Sequence, residues 1–150
     1  MSGGIQISLQ GDELLAEKLR WLCAEGAREL LDIVGAEAET QTKRRIQEEK
    51  TSAEGMPWAP WSEKYARTRR GSQSLLQAAG HLLESIDHEV DEGESVVVGS
   101  NLIYAAIHQF GGDAIGRPWM VARPYLGLSD ENEQELSAVV EKFFERRLAS

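Results

Sequence analysis

The sequence feature that most constrains the fold is a long helical pattern that no proline interrupts between Asp12 and Lys50. Asp12 is a suitable N-cap, because its carboxylate can accept hydrogen bonds from the free N–H groups of a first turn. Apolar residues recur at steps of three, four or eight and form one stripe, made of Leu15, Leu19, Leu22, Leu30, Val34 and Ala38. Some 35 helical residues would span about 50 Å. Because a domain of this size needs a shorter helix to cover its core, we expect the far end of this helix to project or to pack on another subunit.

Shorter elements surround this pattern. Ile5, Ile7 and Leu9 alternate with polar residues and predict a strand, and residues 87–99 predict a β-hairpin around an Asp-Glu-Gly turn. Two prolines and a glycine predict a loop over residues 51–61. The other predicted elements are helices, over residues 63–69 (capped by Ser62), 75–86, 102–110 and 130–148. The sequence therefore predicts a single α+β domain over residues 1–150, with a long N-terminal helix, a small antiparallel sheet and a C-terminal helix.

The bulk composition excludes several classes of protein. A formal charge of −9 disfavours a protein that grips phosphate backbones, because that affinity comes from lysine and arginine. The single cysteine, Cys23, excludes an intrachain disulfide and a cysteine-based zinc cluster, and we expect a buried thiol there. Neither a signal peptide nor an apolar stretch of about 18 residues is recognisable, so we expect no membrane contact and a cytoplasmic site of action.

The segment from Tyr104 to Leu128 has neither helical nor strand periodicity throughout, although it is rich in aromatic residues, arginine and proline. Such segments form defined surfaces for chemistry or for docking. We favour docking, because Trp, Tyr, Met and Arg are enriched in interface cores. The expected contact residues are Tyr104, His108, Phe110, Arg117, Trp119, Arg123 and Tyr125, with Trp58 and Trp61 from the preceding loop. The alternative is that these aromatic side chains anchor their loops to the core of their own domain, an interpretation favoured for the two loop tryptophans.

His108 is the obvious candidate for catalysis, but its sequence neighbours Tyr104 and Gln109 are not acidic. No Gly-x-Ser-x-Gly or His-Glu-x-x-His motif occurs, and the three histidines share no metal-ligand spacing. We therefore predict no catalytic, cofactor-binding or metal-binding residue and no cofactor. Two alternatives stay open, which are a hydrolase centred on His108 and a nucleic-acid-binding module using the basic runs 43–45 and 64–70. For both basic runs, solvated helix faces are the favoured interpretation.

Five short motifs occur in order along most of the chain. They are Pro57-Trp-Ala-Pro-Trp-Ser62 with Tyr65-Ala66, Leu75-Leu76 and Gly80-His-Leu82 with Ser85-Ile86, Val98-Gly-Ser-Asn101, Tyr104-Ala-Ala-Ile-His-Gln-Phe-Gly-Gly112, and Ala122-Arg-Pro-Tyr-Leu-Gly-Leu-Ser129. Together they resemble the phage virion morphogenesis family, the tail completion proteins of Mu-like and related tailed phages. One departure is Val121, which stands where the family commonly has the first proline of a Pro-Ala-Arg-Pro stretch.

The resemblance implies a small structural protein that completes the tail or the head–tail joint and needs no cofactor. It implies action in the bacterial host cytoplasm during assembly and a place in the virion. Similar connector proteins form rings, often sixfold, so a homo-oligomeric ring is expected, with tail terminator, tail tube or head-completion proteins as further partners and passive contact with phage DNA. A head-to-tail ring needs two different patches, which we expect helix 12–50 and segment 104–128 to supply.

Overall fold

The computed structural model describes residues 3–8, 23–69, 71, 73–76 and 80–149. The elements in chain order are β1 (Gly4–Ser8), α1 (Cys23–Arg44), a π-helical turn (Arg45–Glu49), α2 (Glu63–Ala66), α3 (His81–Ser85), β2 (Asp87–Asp91), β3 (Ser95–Gly99), α4 (Ala105–Phe110), a 3₁₀ turn (Asp113–Ile115) and α5 (Asp130–Ala149). The predicted α+β class, with a long helix near the N-terminus, a small antiparallel sheet and a C-terminal helix, is confirmed.

The sheet has three antiparallel strands in the order β1–β3–β2. Both Ile5 and His88 are register partners of Val98, so alternate residues of the three strands share one face. The hairpin turn places Glu92 at φ 50° and Gly93 at φ 78°, the left-handed pair of a type I′ turn. This turn, which is closed by the N–H of Glu94 donating to the carbonyl of Asp91 (3.0 Å), matches the twist of the flanking strands, so the three residues from Glu92 to Glu94 suffice to connect them.

Helix α1 packs across this sheet at Gly35. A Cβ atom at this position would lie 2.5 Å from Val96 Cγ2 and 2.6 Å from His88 Cδ2, so only glycine lets the helix come this close. Glycine weakens a helix by about 1 kcal/mol relative to alanine. Here that cost is offset by the contact between helix and sheet that the missing side chain permits.

The apolar stripe predicted for this helix faces the core over its described part. Leu30, Val34 and Ala38 are all buried, and they belong to the same cluster as the inward-facing side chains of the sheet. Residues 9–22, with the predicted N-cap and the first leucines of the stripe, lie outside the described residues, as does the side chain of Cys23.

The far end of the helical segment packs against its own chain through Arg45 and Ile46, so the prediction that it projects from the domain is wrong, whereas its packing on another subunit stays a prediction. Arg45 is only 1% exposed. Its Nη1 donates to the carbonyl oxygens of Tyr125 (3.0 Å) and Gly127 (2.9 Å), and its Nη2 donates to Asn132 Oδ1 (2.6 Å). Asn132 Oδ1 also accepts the N–H of Ser129, whose hydroxyl accepts the N–H of Asn132. Arg45 thus connects the end of α1 to the extended segment before α5 and to the start of α5.

The basic run 43–45 is engaged within the chain and is not a free surface for nucleic acid. Lys43 Nζ lies 2.7 Å from Glu39 Oε1, and Arg44 donates two hydrogen bonds, of 3.2 and 2.7 Å, to the carboxylate of Glu135. Because Arg45 is buried, the interpretation of the whole run as a solvated helix face is also wrong.

The helix predicted over residues 75–86 is much shorter in the structure. Helix α3 covers only His81–Ser85. Leu76 has φ 61° and Gly80 has φ 76°, a left-handed conformation that cannot continue a right-handed helix. Leu82 is nevertheless buried, so the apolar residues that suggested a longer helix still contribute to the core. Residues 77–79 lie outside the described part of the chain.

The other short helices lie close to their predicted positions. Helix α4 ends before Gly111, as predicted, and the hydroxyl of Ser62 accepts the N–H of Tyr65 at the start of α2 (3.3 Å). Helix α2 ends at Ala66, earlier than predicted. Helix α5 carries acidic residues in its first turn and basic residues in its last, as the helix dipole favours.

Replacing Arg45 by methionine should lower the free energy of unfolding by about 3 kcal/mol or more, because three buried acceptors lose a charged donor together. Arg45→Lys should recover little of this lost free energy of unfolding, since an ammonium group cannot reproduce the geometry of the guanidinium fork. Chemical denaturation measures both. The matched control is Arg44→Ala, which removes a partly exposed ion pair and should cost less than about 1 kcal/mol. Equal losses at the two positions would contradict the role assigned to Arg45.

Candidate functional site

An open groove of about 1160 Å³ lies between α2, α3, α4 and the loop that follows α4. Six of the nine predicted contact residues line this groove, which are Trp61, Tyr104, His108, Arg117, Trp119 and Arg123. The fold therefore brings together residues from two segments that are about 40 positions apart in the sequence. Phe110 is exposed at the end of α4 and is not part of the groove lining, whereas Trp58 and Tyr125 lie inside the domain.

The loop after α4 folds back on itself and presents Trp119 outward. The N–H of Gly112 donates to the carbonyl of Met120 (2.9 Å), and the N–H of Arg117 donates to the carbonyl of Gly112 (2.8 Å). The N–H of Arg123 then donates to the carbonyl of His108 (2.7 Å), which closes the loop against α4. Trp119 is left 72% exposed at the far side of this closed loop.

Arg123 and Trp58 fasten the two loops to each other. The guanidinium of Arg123 donates from Nε to the carbonyl of Ala59 (2.8 Å) and from Nη2 to the carbonyl of Pro60 (3.0 Å). Trp58 Nε1 donates to the carbonyl of Pro124 (2.7 Å), and the side chain is only 6% exposed. The interpretation of Trp58 as an anchor of its own loop is confirmed, and its side chain has little surface to offer a partner.

Tyr125 is a core residue, with 1% of its surface exposed. Burial raises the pKa of its hydroxyl to about 12, and the hydroxyl lies 3.4 Å from the carbonyl of Ala105, to which it donates. The amide oxygen of Gln109 accepts the N–H groups of both Tyr125 and Leu126, each at 3.0 Å. Sequence reasoning missed Gln109 as the residue that holds this segment, because a glutamine on a short helix gives no signal of an inward orientation.

His108 is half-buried and lies edge-on to the ring of Tyr104, with 5.7 Å between the ring centroids. Burial lowers its pKa, and the positive charge of Arg123 lowers it further, which favours a neutral imidazole near pH 7. A catalytic histidine base is normally oriented by a carboxylate. Among the described residues, the charged group that acts on His108 is an arginine, so the geometry gives no support to a hydrolase centred here.

The basic run 64–70 lies beside the groove. Lys64 and Arg67 are exposed on and just after α2, while the guanidinium of Arg69 stacks over the ring of Tyr65 at 4.3 Å from its centroid. Arg70 lies outside the described residues. Arg69 is therefore partly engaged with Tyr65 of the groove lining, and the two exposed cations lie close in sequence to the lining residues Glu63 and Tyr65.

Exposed apolar side chains concentrate in the same region. Six of the eight large apolar side chains that are exposed in the described residues lie between positions 103 and 121. They are Ile103, Tyr104, Phe110, Ile115, Trp119 and Val121. Monomeric proteins seldom expose so many apolar groups from a single short segment without a partner. The groove and this segment are therefore the best candidate for an interaction site.

A second group of polar side chains lies away from the groove, where α1 meets β2. The side-chain atoms of Glu39, Asp87 and His88 that could bind a metal ion lie within 4.8 Å of one another, a spacing that is also found among metal ligands. Both imidazole nitrogens are already hydrogen-bonded, however, Nδ1 to Glu39 (2.7 Å) and Nε2 to Asp32 (2.8 Å). Burial opposes the charge of His88, but the two carboxylates outweigh it and raise its pKa. The arrangement is best described as an ion pair that joins helix to sheet.

Comparisons with known proteins show the family to which the chain belongs. Residues 8–145 match the model of the phage virion morphogenesis family, so the chain belongs to that family, whose name describes particle assembly rather than catalysis. It is 32% identical to capsid assembly protein G of Escherichia phage Mu over 117 residues, 73% of this chain and 74% of that protein. It is 41% identical to the Mu-like prophage FluMu G protein 2 of Haemophilus influenzae over 85 residues, 55% of this chain and 59% of that protein.

No solved structure matches the chain. No helix in the described parts of the chain combines the length and the apolar character that are needed to cross a bilayer.

Replacing Trp119 by alanine should change the free energy of unfolding by no more than about 0.5 kcal/mol, because most of the side chain is in solvent. Trp58→Ala should cost about 3–5 kcal/mol, since it removes a buried indole and its hydrogen bond. Urea denaturation distinguishes the two. If Trp119→Ala cost as much as Trp58→Ala, Trp119 would be an anchor of its own domain and not a contact residue.

His88 should make the stability depend on pH. Because its folded pKa is raised above 6.5, its ion pair stabilises the fold fully below pH 6.5, and this stabilisation is lost as the pH rises through the folded pKa. His88→Gln should therefore destabilise the protein more near about pH 6 than near about pH 9. The exposed residue His81 provides the control, His81→Gln, with little effect at either pH. A loss for His88→Gln that is equal at both pH values would exclude a charged imidazole.

Proposed function

We propose that this protein completes the tail or the head–tail joint of a tailed phage, that it does so as a homo-oligomeric ring, and that the groove is its docking surface. The observation that carries the proposal is the concentration of exposed apolar side chains in residues 103–121, of which Tyr104, Trp119 and Val121 line the groove, on a chain whose family acts in virion assembly. A partner that covered these side chains would remove them from water, which is the main driving force of association.

The residues around the groove have the composition of an interface core. Trp119 and Tyr104 offer broad aromatic faces, and Arg117 offers a guanidinium that can bind carboxylates through two hydrogen bonds. The closed loop after α4 holds Trp119 in place before a partner arrives, which lowers the entropy lost on binding. Such a surface is suited to a modest pairwise contact that becomes strong when a ring repeats it.

The partners follow from this role. Other copies of the chain would form the ring, and tail terminator, tail tube or head-completion proteins would bind its two ends. Phage DNA would pass with only passive contact, because a chain with a formal charge of −9 repels it overall. The similar phage Mu protein carries a capsid assembly name, which supports the head end of the joint as a place for this chain as well as the tail end. The protein would act in the bacterial host cytoplasm and remain in the virion.

Deleting the gene should leave DNA-filled heads beside separate tails in an induced lysate, seen by electron microscopy. A wild-type copy supplied from a plasmid should restore joined particles. A copy with both Trp119→Ala and Phe110→Ala should fold but lower the infectious titre by roughly tenfold or more, because contacts of this type each contribute more than 1 kcal/mol.

The matched control is Met56→Ala, which changes a side chain that is 68% exposed outside the groove lining and should restore the titre fully. Normal infectious particles from the deletion strain would contradict the assembly role itself. Full rescue by the double variant would show that the docking surface lies elsewhere on the chain.

A further inference from the structure

Acidic side chains concentrate on the β2–β3 hairpin. Residues 87–94, which we call the acidic hairpin, contain five acidic residues and no lysine or arginine. All five are exposed, and they are Asp87, Glu89, Asp91, Glu92 and Glu94. The one histidine of this segment, His88, points towards α1 and binds Asp32 and Glu39. The exposed side of the acidic hairpin is therefore a compact negative surface.

The groove carries the opposite charge. Arg117 and Arg123 line it together with Glu63, and three more basic residues lie on or just after α2, whose Glu63 and Tyr65 are part of the lining. Those three are Lys64, Arg67 and Arg69, and the guanidinium of Arg69 stacks over the ring of Tyr65. In a chain with a formal charge of −9, this is a local reversal of sign. A partner for the groove should accordingly be acidic.

The two surfaces lie at different places on the molecule. Helix α3 lines the groove through His81 and Leu82 and leads directly into β2 at Asp87. The hairpin turn, at Glu92 and Gly93, follows one strand length later, about 16 Å at about 3.3 Å per residue. Two different, complementary patches held apart on one rigid domain are what a head-to-tail ring contact requires.

We propose that the acidic hairpin of one copy docks on the groove of the next copy. Arg117 and Lys64 would pair with hairpin carboxylates, while Trp119 and Tyr104 would cover the apolar stems of the same side chains. Arg123 already donates to the carbonyls of Ala59 and Pro60, so it contributes its charge to the groove rather than a new hydrogen bond. The inference rests on the proposed function of the groove as a docking surface and names what occupies it.

A photo-crosslinking experiment tests the pairing. Unlabelled and uniformly ¹⁵N-labelled samples of the variant Trp119→p-benzoylphenylalanine are purified separately, mixed in equal amounts and added to a lysate of the deletion phage, and crosslinked peptides from the particles that form are identified by mass spectrometry. We expect position 119 to be joined to residues 87–94 of another copy, which the mixed isotope pattern identifies as intermolecular. The same group at Met56 should give no such product. Crosslinks from position 119 only to other regions or other proteins, or no crosslink at all, would overturn the pairing.

Charge reversal provides a second, independent test on the same crosslink. Lys64→Glu with Arg117→Glu reverses the groove, and Glu92→Lys with Glu94→Lys reverses the hairpin. Either reversal alone should lower the yield of the 119-to-hairpin product at least about fivefold, and both together in one chain should restore it. Circular dichroism confirms that each variant is folded. Equal yields from all of these variants would show that the opposite charges do not bring the copies together.

These results separate the pairing from the function on which it rests. If the deletion phage assembled normally but the hairpin crosslink still formed between purified copies, the pairing would stand and the assembly role would fall. If the deletion separated heads from tails while position 119 joined some other partner, the assembly role would stand and the pairing would fall.

Discussion

The buried guanidinium of Arg45 is the interaction on which the geometry of the groove depends. It holds the carbonyls of Tyr125 and Gly127 and the side chain of Asn132, three points that the chain reaches only 80 to 87 residues later. Burying a cation is costly, and these three hydrogen bonds offset the cost, while Nε lies 4.0 Å from the carboxylate of Glu49 without a hydrogen bond. Since the extended segment behind Arg123 is held at this point, the groove wall in front of it is fixed by a contact inside the core.

A second constraint fixes the hairpin. Gly35 lets α1 approach the sheet, and His88 then reaches between Asp32 and Glu39 of the same helix. The imidazole, hydrogen-bonded through both ring nitrogens, holds β2 against α1 on its inner face, so the acidic residues of β2 remain on the outer face. Because α1 is continuous with the turn that contains Arg45, one helical segment sets the position of both the groove wall and the hairpin. The distance between the two proposed patches is thus a property of that segment.

The fold was predictable wherever a single periodicity applied over a whole element. The stripe through Leu30 has such a periodicity, whereas the hairpin was indicated by its Asp-Glu-Gly turn and the last helix by Ser129 and the charges at its two ends. The prediction of a helix over residues 75–86 was wrong in its first part, because the apolar residues have helical spacing but the backbone at Leu76 and Gly80 is left-handed. Arg45 looked like one of three surface cations, because nothing local reveals the distant carbonyls that accept its hydrogen bonds.

The candidate site shows the same division between local and distant information. Residue types alone suggested a contact surface over 104–128, and the exposed Trp119 agrees with that expectation. Residue type could not show, however, that Trp119 is exposed whereas Tyr125 is buried. The position of Tyr125 depends on Gln109, whose side-chain oxygen accepts the N–H of Tyr125 and holds this backbone with the ring facing the core.

A chain with a large negative charge repels copies of itself at long range, while the groove and the acidic hairpin attract each other only at short range. A single contact therefore stabilises a pair of free copies only a little. In a closed ring every copy makes two contacts, which favours assembly of the ring on a preformed end of the particle.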